Sequence, residues 1–78
     1  MYDETFGKRG TALRLMELRF RRLRLTQAAF SARSDIPVGT VEDLEQGRVK
    51  GSAALRVLIE AIALNPELIA QAAENAQP

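Results

Sequence analysis

Carboxylates are the side chains of this sequence whose grouping could support catalysis or metal binding. Histidine and cysteine are absent, which removes the commonest general base and every thiolate ligand. Glu42, Asp43 and Glu45 lie close together, but neighbouring residues on a helix point in different directions. No second cluster of oxygen ligands accompanies them. We therefore expect no catalysis, no metal site and no cofactor.

The charges are divided unevenly along the chain although the net charge is only +1. Residues 1–34 carry eight basic and three acidic residues, whereas residues 35–78 carry three basic and seven acidic residues. A basic half is typical of a surface that faces phosphate groups. A solvated helix face explains the same arginines equally well, so charge alone leaves both interpretations open.

The stretch from residue 25 to residue 47 predicts two short amphipathic helices joined by a tight turn. Thr26 is the expected N-cap of the first, which should run to about Arg33. Leu25 and Phe30 have the spacing of a hydrophobic staple around that cap. Such a helix pair can place its second helix in the major groove of DNA.

The second helix of this pair should begin near Pro37, because proline lacks the N–H that a first helical position leaves unused. Val41 and Leu44 face inward together with Thr40, and Gly47 supplies the left-handed residue that ends the helix. Gly39 weakens this helix by roughly 1 kcal/mol relative to alanine, which either packing or the approach of a ligand must explain.

Three further helices complete the predicted domain. The first runs from Thr11, its expected N-cap, to about Leu23, with an inward stripe that Leu15 and Leu18 widen: Leu13, Met16, Phe20 and Leu23. The fourth runs from about Ser52 to Leu64, and the fifth begins at Asn65-Pro66-Glu67 and runs to about Ala73. We expect residues 1–10 to be a flexible or partner-ordered arm, residues 11–73 the domain, and residues 74–78 a frayed tail.

The length of 78 residues allows one small all-α domain with a marginal core. No apolar run reaches the roughly 18 residues that a membrane span needs, and no secretory signal pattern opens the chain. We expect a cytoplasmic protein without membrane contact. Leu68, Ile69 and Ala72 form a late apolar stripe that either makes a homodimer or covers the open end of the helix bundle.

At this point the chain resembles the lambda-repressor-like helix-turn-helix family, the Cro-type transcriptional regulators, over roughly residues 12–73. It is most similar to a subgroup of small regulators and antitoxins. The matching residues are Leu25-Thr26-Gln27, Phe30, Ile36, Thr40-Val41 and Leu44-Glu45-Gln46-Gly47-Arg48. The resemblance implies a five-helix DNA-binding domain.

Three departures from the family pattern bear on the structure. Arg24 and Asp35 stand where the family commonly has glycine or another small residue, so both positions are expected to be strained. The family pairs an arginine late in helix 1 with the glutamate that matches Glu45. Phe20 stands at the arginine position here, and a shift of one residue would bring Arg19 or Arg21 to the glutamate instead.

The resemblance also implies which residues contact DNA. On the first helix of the pair, the candidates for contact with DNA phosphates are Thr26, Gln27 and, more weakly, Arg33. After the second helix, the candidates for a clamp on the DNA backbone are Arg48 and Lys50. The second helix offers six candidates for contact with DNA in the major groove: Pro37, Val38, Gly39, Thr40, Glu42 and Asp43. Valine can contact a thymine methyl and a carboxylate can accept from cytosine, but two acids also repel phosphate.

The sequence therefore predicts a transcriptional regulator that binds duplex DNA as a homodimer, as a repressor or autorepressor at an inverted-repeat operator. Two alternatives stay open. One is an antitoxin or other protein-interaction module whose main partner is a toxin or another protein, which the acidic second helix favours. The other is an architectural subunit of a larger complex.

Overall fold

The computed structural model describes the backbone of residues 4–77 and the side chains of residues 7–77. Within that range the protein is all-helical, as the sequence predicts, with five helices and no strand. Helix α1 spans Glu4–Met16 and continues as a π-helical turn over Glu17–Arg22. The others are α2 (Gln27–Ser34), α3 (Val38–Glu45), α4 (Ala53–Leu64) and α5 (Pro66–Asn75). None of the described helices is long and apolar enough to cross a membrane.

Side-chain caps fix where three of these helices begin. A hydroxyl or amide oxygen accepts a hydrogen bond from the backbone N–H three residues later, at 3.0–3.1 Å in each case. This satisfies a donor that the first turn of a helix otherwise leaves unpaired. The capping residues are Thr26 for α2, Ser52 for α4 and Asn65 for α5.

The beginning of α1 differs from the prediction. The helix begins at Glu4, and the Thr11 hydroxyl donates to the Gly7 carbonyl at 3.0 Å instead of capping a helix start. Residues 4–10, predicted as an arm, therefore continue the helix, while residues 1–3 lie outside the described residues. Glycine weakens a helix interior by only about 1 kcal/mol, so Gly7 and Gly10 do not stop it.

The buried face of α1 is not the predicted one. Leu15 and Leu18 are fully buried beside Ala12, whereas three residues of the predicted inward stripe are 42–66% exposed: Leu13, Met16 and Phe20. The helix carries two apolar stripes at helical spacing, and only one can face the core. The rotation that brings Arg19 inward, to 9% exposure, turns the other stripe toward solvent.

A π-helical turn lies where a one-residue shift would bring an arginine to Glu45. The backbone N–H of Leu23 donates to the Leu18 carbonyl, five residues earlier, at 2.9 Å. Such a turn accommodates one extra residue within a helix. As a result Arg19 faces Glu45, and Phe20 points outward.

The core lies where all five helices meet. Its larger members are Leu15, Leu18, Phe30, Ile36, Val41, Leu44, Ile59 and Ile62. Ile69 of α5 packs against this cluster, together with Leu23, Leu25, Leu55 and Leu58. Helix α5 therefore covers the bundle, and Ile69 does not belong to an exposed dimer stripe, although Leu68 is 56% exposed.

Candidate nucleic-acid interface

A three-residue turn, Asp35-Ile36-Pro37, sets the angle between α2 and α3. The Ser34 hydroxyl donates to the Phe30 carbonyl at 2.8 Å and accepts from the Ile36 N–H at 3.2 Å. Asp35 adopts the left-handed conformation with φ 63°, and Ile36 is buried beneath the turn. The turn is thus fixed by hydrogen bonds and by an apolar anchor, although Asp35 is strained relative to glycine.

A buried ion pair ties the end of α3 to α1. The Arg19 guanidinium donates two hydrogen bonds to the Glu45 carboxylate, at 2.5 and 2.8 Å, with side chains only 11% and 6% exposed. Arg19 also donates to the Leu25 carbonyl at 2.8 Å. The hydrogen bond from Arg19 to Glu45 raises the pKa of Arg19, and burial opposes this rise without reversing it. Such a forked pair fixes orientation as well as distance.

Gln27 belongs to the same cluster. Its side-chain amide donates to Glu45 at 3.1 Å, so this predicted phosphate contact is half-buried and faces α3. Thr26 is exposed, but its hydroxyl oxygen is engaged by the Ala29 N–H. The start of α2 is therefore locked against α3 by Gln27.

The first turn of α3 presents a solvent-facing surface. Pro37, Val38, Gly39 and Glu42 are all exposed, while Thr40 is half-buried. A side chain added at Gly39 would meet no atom within 4 Å. Packing within the described part of the chain therefore does not require glycine at this position.

The predicted backbone clamp is partly folded back onto α3. Arg48 donates to the Asp43 carboxylate at 3.1 Å, and the Arg48 N–H donates to the Asp43 carbonyl at 3.0 Å. The Lys50 side chain extends toward α1, with its Cδ 3.4 Å from the position that a Cβ on Gly7 would occupy. Arg48 and Asp43 thus partly neutralise each other at the surface.

Three of the eight basic residues in the first 34 positions form ion pairs with the acidic half of the chain. Arg14, Arg19 and Arg33 of the basic half pair with Glu60, Glu45 and Glu67 of the acidic half. Arg33 lies at the end of α2 and donates to Glu67 of α5 at 3.2 Å, away from the exposed turn of α3. Of these three pairs only Arg19–Glu45 is buried, and the other two lie at the surface, where an ion pair contributes about 0–1 kcal/mol.

Arg21 and Arg24 are basic residues near α2 that the sequence did not mark as contacts. With Phe20 and Thr26 they line an open groove of about 590 Å³ before the start of α2. Among the described residues no acidic group forms an ion pair with either arginine. Arg24 has φ 55°, the left-handed conformation that its departure from the family pattern predicts.

No group of three or more potential metal ligands occurs among the described residues. Comparisons with family models, curated proteins and solved structures give no match.

Proposed function

We infer that this protein is a DNA-binding transcriptional regulator of the lambda-repressor-like helix-turn-helix type. The observation that carries the proposal is the arrangement of α2 and α3. Two eight-residue helices flank a fixed three-residue turn, and the first turn of α3 is exposed. A second helix presented in this way fits the major groove with its N-terminal residues toward the base edges.

Gly39 supports this proposal. It lies within an exposed helix turn, where alanine would be more stable by about 1 kcal/mol and would meet no neighbouring atom. A residue without a side chain is an advantage here if another molecule approaches the backbone closely. A base edge in the major groove is such a molecule, and Val38 beside it can contact a thymine methyl.

Phosphate contacts supply most of the proposed affinity. Glu42 and Asp43 make α3 itself acidic, so attraction to DNA has to come from flanking residues. Arg21 and Arg24 provide it next to the N-terminus of α2, where backbone N–H groups and the helix dipole favour anions. The charge of Arg33 is partly neutralised by an exposed ion pair with Glu67.

The proposed active form is a homodimer. Val57 and Leu64 share one face of α4 and are 68% and 87% exposed, and Leu68 follows on the first turn of α5. A two-fold axis would bring this patch together from both chains. It would also hold two copies of α3 about 34 Å apart, one turn of DNA, which suits a repressor or autorepressor at an inverted repeat.

A protein-binding role, as in an antitoxin, is the second candidate. It is favoured by the carboxylate of Glu42, which is exposed on α3 where a phosphate backbone would pass. In that role α3 would contact a basic surface of a protein and the affinity for DNA would be weak. Binding to duplex DNA therefore separates the two candidates.

The test uses two glycine variants that should be equally stabilised. Gly39→Ala and Gly10→Ala both fill open space in a helix, so each should raise the free energy of unfolding by about 0.5–1 kcal/mol. Only Gly39→Ala should weaken binding to duplex DNA, by at least about fivefold, the low end of the cost of a disturbed base contact. Equal DNA affinity of the two variants would mean that α3 does not approach DNA at Gly39.

A further inference from the structure

Helix α1 has a second apolar face that no described residue covers. Leu13, Met16 and Phe20 follow each other at spacings of three and four, and their exposed fractions are 58%, 42% and 66%. Isolated exposed apolar residues are ordinary, but three in a row along one helix form a continuous stripe. This stripe is additional to the face of α1 that packs into the core.

Open grooves border the stripe at both ends. One of about 430 Å³ lies along its N-terminal end and is lined by Arg9, Leu13 and Met16, among others. The groove of about 590 Å³ described above contains Phe20 and Arg21 at the other end. The stripe therefore has room on either side for an elongated partner rather than for a compact small molecule.

The rim of this surface is basic. Lys8 and Arg9 lie at one end, and Arg21 and Arg24 lie at the other. Two acidic residues lie near this surface: Glu45 lines the first groove with its carboxylate buried against Arg19, and the exposed Glu17, between Leu13 and Phe20, pairs with Arg14 at 2.9 Å. An occupant with apolar residues in the middle and carboxylates toward both ends would match the surface in polarity and charge.

The same charges argue against a second copy of this chain across the stripe. A two-fold contact of α1 with α1 would bring the same basic rim together from both chains, which like charges oppose. We propose that the exposed face of α1 binds an acidic amphipathic helix of another protein. Leu13 and Phe20 lie about 10 Å apart along the axis and Arg9 and Arg21 about 18 Å, so a helix of about four turns spans the surface.

The test is fluorescence anisotropy with a labelled synthetic peptide of about 18 residues, long enough for those four turns. The peptide carries leucines at spacings of three and four in its centre and glutamates toward both ends. A second peptide has the same composition in an order without an apolar face. The measurement contains no DNA, so its outcome is independent of the DNA-binding proposal, although Arg21 borders both surfaces.

We expect saturable binding of the amphipathic peptide at micromolar concentration and weaker binding of its rearranged counterpart. Phe20→Ser should weaken binding about tenfold, as expected for a central aromatic contact. Val49→Ser is the control, because Val49 is 43% exposed, lines neither groove and should leave the affinity unchanged. Arg21→Glu should weaken binding of the acidic peptide and should improve binding of a peptide that carries lysine at the end facing residue 21.

Three results would overturn the proposal. The first is no binding of the amphipathic peptide, and the second is equal binding of the rearranged peptide. The third is dissociation of a homodimer by Phe20→Ser in sedimentation, which would identify the stripe as a contact between copies of this chain. Circular dichroism of Phe20→Ser checks folding, and its exposure predicts an unchanged helical signal.

Discussion

The ion pair between Arg19 and Glu45 should be the most strongly coupled ion pair among the residues that the structure describes. It joins α1 to the end of α3, with side chains 11% and 6% exposed. Removing one partner leaves a buried charge without compensation, which typically destabilises by about 3–5 kcal/mol. After Glu45→Met, Arg19 keeps the Leu25 carbonyl as an acceptor, and after Arg19→Met, Glu45 keeps the Gln27 amide as a donor, so we expect about 3 kcal/mol for each variant.

The double variant should be much less unstable than the sum of these two values. Methionine at both positions removes both charges together, and apolar replacement of a buried pair is often nearly neutral. Two groups then lose a partner, the Leu25 carbonyl and the Gln27 amide, so a loss of about 1–3 kcal/mol remains. The coupling energy between positions 19 and 45 should therefore be several kcal/mol.

The assay is urea unfolding followed by far-ultraviolet circular dichroism, with the three variants and the parent forming a double-mutant cycle. The control cycle uses Asp43 and Arg48, whose side chains are 46% and 64% exposed and should couple by less than about 1 kcal/mol. If the losses at positions 19 and 45 simply add, to within about 0.5 kcal/mol, the pair does not hold α1 and α3 together.

Three smaller perturbations test other parts of the account. Arg24→Gly should raise the free energy of unfolding by up to about 1 kcal/mol, because φ is 55° there, and should lower the salt slope of DNA binding by about 0.9. Gly51→Ala should be destabilising in urea unfolding, since φ is 82° and the added Cβ would lie 3.1 Å from Leu44 Cδ2. The hydrogen bond from Arg14 lowers the pKa of Glu60 below its ordinary value of 4.5. The stabilisation that Glu60 contributes to the folded state is therefore present above about pH 4.5 and is lost as the pH falls. Unfolding of Glu60→Gln between about pH 5 and pH 3 should accordingly depend less on pH than that of the parent, and an identical dependence would contradict this.

Local signals in the sequence located most of the helices. Caps at Thr26 and Asn65 and the left-handed Gly47 define helix ends within a few residues, and the structure uses each of them as predicted. The strain at Arg24 and Asp35 is expected only from the family resemblance, which has glycine or another small residue at both positions, and both residues have positive φ.

The orientation of α1 could not be predicted from local signals. Its two apolar stripes have equivalent spacing, and the choice between them depends on Glu45, which lies 26 residues from Arg19. The ion pairs of Arg14 with α4 and of Arg33 with α5 are likewise long-range. The positive charge available for phosphate is therefore smaller than the count of basic residues suggests.

Selection of bound sites from a random pool of duplex DNA tests the proposed function most directly. The proposal predicts enrichment of a two-fold symmetric sequence whose half-site centres lie about 10 base pairs apart, one per copy of α3. The logarithm of the affinity for the enriched site should fall linearly with the logarithm of the salt concentration, with a slope of about 0.9 per phosphate neutralised. A pool that stays random, with no retention on the protein even at low salt, would contradict DNA binding and favour a protein partner.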